Sequence, residues 1–158
     1  MNRMKLLLAL TVALLCSIAQ AQLQVQRLDG SSVTLDAARL AALPHEAVKA
    51  EAHGKPVEAS GVDLREVLRA AGIEPPEQIR GAALRQVLMA GARDGYVVAF
   101  AWAELDPALG GRRVFLVTDG PDGRLKPDEG PLRLIVPADA RPARWVRQLE
   151  SLRLISPP

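Results

Sequence analysis

From Leu23 to Leu28 the chain alternates apolar and polar residues, meets the turn pair Asp29-Gly30, and resumes with Val33 and Leu35. Period-two alternation around an Asp-Gly turn predicts a strand pair. Asp36 then stands where a helix cap is wanted. Ala37, Ala38, Ala41 and Ala42 favour helix, Leu35, Leu40 and Leu43 give it an apolar side, and Pro44 ends it. His45 to Ala52 reads as a strand, His53-Gly54-Lys55-Pro56 as a turn, and Val57 to Ser60 as the returning strand.

The clearest helix signal follows. Asp63 is a cap, Leu64, Val67, Leu68 and Ala71 fall at helical spacing, and Gly72 occupies the position of a left-handed C-cap. Pro75-Pro76 force an extended connection. Leu84 to Ala92 fits strand or helix, and Asp94-Gly95 before Val97 to Phe100 decides for a hairpin. Trp102 to Leu109 predicts a turn or two of helix. Arg113 to Thr118 reads as a buried strand, 119–123 as a polar loop, and Leu132 to Val136 as a central strand closed by Pro137. A short helix is expected from Pro142 to about Gln148, and a last strand from Leu152 to Ile155. Short strands mixed with short helices, without a repeat, define a single β-rich domain of the α+β class.

Residues 1–21 break this pattern. Arg3 and Lys5 precede the apolar run Leu6 to Ala19, and Ala19-Gln20-Ala21 places small residues at a cleavage site. The expectation is a signal peptide cut after about Ala21, a mature domain of residues 22–158, and a periplasmic or secreted protein. The run is short for a bilayer span, so stable membrane insertion is not expected. Cleavage removes the chain's one cysteine, Cys16, leaving no thiol for a disulfide or zinc site. It also removes two cations, so 18 Lys and Arg balance 18 Asp and Glu. A balanced charge gives no reason to expect a nucleic-acid partner.

Several stretches then carry a resemblance. They are Ser60-Gly61-Val62-Asp63-Leu64 leading into Val67-Leu68, Ala71-Gly72, Asp94-Gly95-Tyr96, 130–137 (GPLRLIVP) and Arg144-Trp145-Val146-Arg147. Their order and spacing, from about Val33 to Leu154, resemble the oxidoreductase molybdopterin-binding domain, the fold of sulfite oxidase and bacterial methionine-sulfoxide reductases. The pattern is most similar to short, stand-alone, exported members. The resemblance implies a molybdopterin cofactor and redox activity. It also implies a cysteine ligand to molybdenum in the segment that here reads 48–54 (VKAEAHG), without cysteine. A soft thiolate is not replaced like for like by imidazole. The expected function is therefore a non-catalytic ligand-binding or accessory module. An active molybdopterin-dependent oxidoreductase on small oxyanions or sulfoxides, and an envelope signalling or interaction protein, are the alternatives.

Five residues are candidates for holding a pterin or another anionic small molecule. His53 lies in a Gly-containing turn near the position of the family's metal ligand; His45, at a strand start, has no partner in sequence. Arg141, Arg144 and Arg147 recur every third residue at the expected helix start. Cations there oppose the helix dipole, whereas a phosphate or sulfate would be favoured by the free N–H groups and the arginines together. In the family the corresponding segment helps hold the pterin phosphate. Tyr96 is one of five aromatic residues and could cover a planar ligand. Asp119, Asp122, Asp128 and Glu129 read as solvated loop carboxylates, with no nucleophile beside them.

Overall fold

Leu23 and Val25 are fully buried while Gln22 and Gln24 are exposed, so the predicted alternation does form strand β1 (Gln22–Gln26). The computed structural model describes residues 21–120 and 123–158. Residues 1–20, most of the expected signal peptide, and Pro121 and Asp122 of the polar loop, lie outside the described residues. β1 pairs antiparallel with β2 (Ser32–Asp36). Asp36 caps α1 (Ala37–Ala41), its Oδ1 accepting from the Arg39 N–H at 2.8 Å. β3 (His45–Ala52) and β4 (Lys55–Asp63) form the next hairpin. Asp63 then caps α2 (Leu64–Ala70), and Gly72 takes a φ of 75° just past its end, as a left-handed C-cap requires.

β5 (Val87–Ala92) and β6 (Val97–Ala101) confirm the Asp94-Gly95 hairpin. Gly95 sits at φ 88°, and Asp94 Oδ1 accepts from the Tyr96 N–H. A 3-10 turn at Gly81–Arg85 takes the ambiguous residues ahead of β5, and another at Trp102–Leu105 is shorter than the expected helix. β7 (Phe115–Gly120) continues through Asp119-Gly120, expected in the loop, because these pair with β8 (Gly123–Arg124). β9 (Arg133–Ile135) pairs with β7. β10 (Leu149–Ile155) ends the chain.

Two sheets result. One has the order β2-β1-β10-β5-β6; the other runs β3-β4-β7, with β8 and β9 pairing successive parts of β7. β10 lies parallel to β1 and antiparallel to β5, so it joins the two halves of its sheet. The inner faces share one core. Leu23, Leu35, Leu88, Phe100 and Leu152 meet Val62, Leu116, Leu132 and Leu134 in it, with Leu64, Val67 and Leu68 of α2.

Two expectations are corrected. The helix from Pro142 to Gln148 is a 3-10 turn of three residues, Pro142–Arg144. The competing partner is β9: Val146 O accepts from the Leu134 N–H and the Leu149 N–H reaches Leu132 O, so these groups satisfy tertiary bonds instead of a helix ladder. β9 is also not central in its sheet. It borders β7 on one side and is covered on the other by that 146–149 segment.

Candidate functional site

Val48 and Phe115, both nearly inaccessible, lie under a cleft of about 430 Å3 between β3, the 110–113 segment and Pro137-Ala138. That volume falls in the usual range for small-molecule sites. Lys49, Arg112 and Arg113 line it, and none of its lining residues is acidic.

Local backbone packing delivers the two arginines. Gly110 lies against the Trp102–Leu105 turn so closely that a Cβ would come within 2.5 Å of Glu104 Cα. Gly111 has a φ of 58°. Three backbone bonds, Gly110 N–H to Ala103 O, Gly111 N–H to Asp106 O and Arg112 N–H to Glu104 O, fasten the segment down. Asp106, with no accessible surface, ties a further loop to it: its carboxylate accepts from the N–H groups of Ile79 and Ala108, each at 2.8 Å. Burial pushes its pKa up, but these backbone donors outweigh that and hold it below the ordinary aspartate value.

The acids that orient the cleft's arginines are outside its lining. Arg113 bonds to Asp63 through Nε and Nη2 and to Glu46 through Nη1 and Nη2, and its guanidinium lies 4.6 Å from the Phe115 ring centre. The Glu46 hydrogen bond, with Asp63 adding to it, raises its pKa above the ordinary arginine value. Arg112 Nη1 donates to Asp139 Oδ1 at 2.9 Å, and its Nε lies 3.2 Å from Glu104 Oε2.

The predicted residues are placed apart. Arg144 belongs to the acid pair just named, bonded twice to Asp139 and once to Glu104, with its guanidinium 4.8 Å from the Phe100 ring centre. The Asp139 bond first, then Glu104, raises its pKa against the effect of burial. Tyr96 is half exposed and donates its hydroxyl to Ala143 O at 2.7 Å, which pins the 142–144 turn. Arg141 is exposed at the start of that turn. Arg147 points to Asp128 at 3.8 Å, a different acid from those of Arg144. A three-residue turn offers no helix terminus to join them. His53, at φ 53°, stands exposed at the tip of the β3–β4 hairpin. It lies about 13 Å beyond Lys49 at the rise of a strand. His45 is exposed too, its Nδ1 2.8 Å from Leu43 O.

Sequence reading passed over Arg112 and Arg113. The available signal was the doublet Gly110-Gly111 directly before the doublet Arg112-Arg113. Paired glycines allow the close backbone approach that aims paired cations.

Val48 and Lys49, from the segment where the resemblance implies the family's cysteine, supply an apolar surface and an ammonium to the cleft. Among the described residues no three His, Cys, Asp or Glu side chains cluster as metal ligands. These residues do not fit a thiolate-held metal.

The sequence profile of the oxidoreductase molybdopterin binding domain matches residues 10–157. No curated protein matches the chain. Among solved structures, the sulfane dehydrogenase SoxCD from Paracoccus pantotrophus shares the fold, with a TM-score of 0.65 and 17% identity. The likeness covers 86% of this chain and 38% of the SoxCD chain, so the protein spans well under half of that relative. Profile and fold agree, and the chain belongs to the oxidoreductase molybdopterin-binding domain family.

Proposed function

We propose that the protein is a non-catalytic ligand-binding module of the cell envelope, taking an anionic small molecule in the cleft of Lys49, Arg112 and Arg113. The observation that carries this reading is the composition of the lining: three cations, an apolar floor and no acid. Arginine presents planar, permanently charged donors suited to oxyanions. Val48, Phe115 and Pro137 suit the organic body of such a ligand. A pterin phosphate belongs to this chemical class, as do simpler aryl phosphates. Binding needs no metal step from these residues, and none is assigned.

The leader supports export to the periplasm or medium, with Gln22 as the first mature residue. An envelope protein is the natural macromolecular partner of a module exported without its own catalytic group. The dehydrogenase activity in SoxCD's name belongs to a much longer chain, and family membership is what favours the redox alternative.

Protein secreted from a host that makes molybdenum cofactor decides between these readings. The expected result is an intact mass beginning at Gln22, no stoichiometric molybdenum, and calorimetric binding of phenyl phosphate that weakens with salt. Stoichiometric molybdenum with pterin would establish the oxidoreductase. No binding of phenyl phosphate, or unchanged binding in both Arg112→Gln and Lys49→Gln, would rule out the cleft.

A further inference from the structure

Arg112 and Arg144 share Glu104 and Asp139 but hold them unequally. Arg144 donates three hydrogen bonds: Nε to Asp139 Oδ2 at 2.8 Å, Nη2 to Asp139 Oδ1 at 2.7 Å, and Nη1 to Glu104 Oε1 at 2.9 Å. Arg112 donates one side-chain hydrogen bond, to Asp139. Its approach to Glu104 Oε2 is an ion pair at 3.2 Å. Of the two, only Arg112 lines the cleft.

We propose that Arg112 is the residue that grips the ligand's anionic group, and that Arg144 permits this by keeping the shared carboxylates neutralised when Arg112 turns away. This rests on the anionic-ligand reading of the cleft. Asp139 and Glu104 are 12% and 21% exposed, so neither is cheaply left without a cation. The four groups balance, two charges against two. When Arg112 leaves, both Asp139 oxygens still bond to Arg144. Glu104 Oε1 keeps Arg144 and the Ala101 N–H at 3.0 Å. Only Glu104 Oε2 loses its cation, on a residue water can reach. Without Arg144, Arg112 would be the sole cation facing two carboxylates and would be held away from the ligand.

Arg113 has no such freedom. Its guanidinium makes four hydrogen bonds to Asp63 and Glu46 and lies over Phe115, so it acts as a fixed wall with a fixed charge. One mobile guanidinium beside one fixed one suits a ligand with a single terminal oxyanion on an apolar body. The class indicated is an aryl phosphate monoester rather than a diphosphate.

The test titrates the mature protein with phenyl phosphate and, separately, inorganic phosphate. Arg112→Gln should weaken phenyl phosphate binding by about tenfold or more, the scale of one charge-assisted hydrogen bond. Arg144→Gln, outside the cleft, should weaken it comparably. Adding both Glu104→Gln and Asp139→Asn to Arg144→Gln should restore binding, because neither shared acid then competes for Arg112 and the glutamine carbonyl still accepts from Ala101. A merely structural Arg144 would not be rescued in this way. In wild type, which needs no variant to fold, the Arg112 Nε–H resonance should shift on titration while that of Arg113 stays.

Wild-type affinity in Arg144→Gln, no rescue in the variant that also carries Glu104→Gln and Asp139→Asn, or a stationary Arg112 signal at saturating phenyl phosphate would overturn the counterion exchange and leave the cleft reading standing. Absence of any wild-type binding would remove both. Equal affinity for inorganic phosphate would overturn the assignment to an aryl ester.

Discussion

Asp63, the last residue of β4, is joined to Arg113, just before β7, while Asp63 also starts α2. Oδ2 of Asp63 accepts from Arg113 Nη2 at 2.8 Å, and Oδ1 accepts from the Arg65 N–H at 2.9 Å. One carboxylate therefore sets the first turn of the best helix and the direction of a cleft-lining cation. The two tasks use different oxygens, so chemistry can separate them.

Asp63→Asn keeps a capping oxygen and removes the ionic partner; Asp63→Ala removes both. Asparagine caps about as well as aspartate, and loss of a cap costs about 1 kcal/mol. The half-exposed Arg113 end of the pair is screened by water and adds less than about 1 kcal/mol. Urea unfolding should therefore place Asp63→Ala about 1–2 kcal/mol below wild type, with Asp63→Asn between them. Equal losses in the two variants would show that the cap contributes nothing.

Asp106 gives the protein an acid limit. Its pKa is held below the unfolded value, so its contribution is complete above the unfolded aspartate pKa of about 4 and fades as pH falls through the lower folded value. The wild-type unfolding midpoint should drop on going below about pH 4. In Asp106→Asn, stability at neutral pH should be lower and the fall between pH 5 and 2 shallower. Parallel pH profiles for the two proteins would exclude Asp106 as a contributor.

The sequence made the local hairpins and caps legible because their causes are local. Asp29-Gly30, Asp94-Gly95, Asp36 and Asp63 each act within a few residues, and each does what its chemistry predicts. The 142–148 segment was misread for the opposite reason. Trp145 and Leu149 have helical spacing, but Trp145 donates its indole N–H to Val136 O and Leu149 bonds to Leu132, partners more than eight residues away. Arg144 reads in sequence as an anion-binding residue because one counterion, Glu104, lies 40 residues before it, and the other, Asp139, is brought against it by the tertiary path of the chain and not by a helix. The cleft was hidden likewise, since Lys49, Arg112 and Pro137 come from segments far apart in the chain.

β10 supplies the final test of how the fold is held together. It sits between β1 and β5, pairing Ser151 to Arg153 with Gln24 to Gln26 on one side and Leu149 to Ile155 with residues 87–92 on the other. Leu149, Leu152 and Leu154 are buried. At about 1.5–3 kcal/mol each, their burial alone approaches the 5–15 kcal/mol net stability usual for a domain. A chain ending at Gln148 loses this and leaves two hairpins with no strand between them. It should show no cooperative thermal transition, whereas a chain ending at Ile155, lacking only the last three residues, should unfold like wild type. Because β10 is held by backbone pairing to β1 and β5 and by its buried leucines, a synthetic peptide of residues 149–158 should restore a cooperative transition when added to the shortened chain. A cooperative transition at the wild-type temperature in the chain ending at Gln148 would show that the sheet is held together without its middle strand.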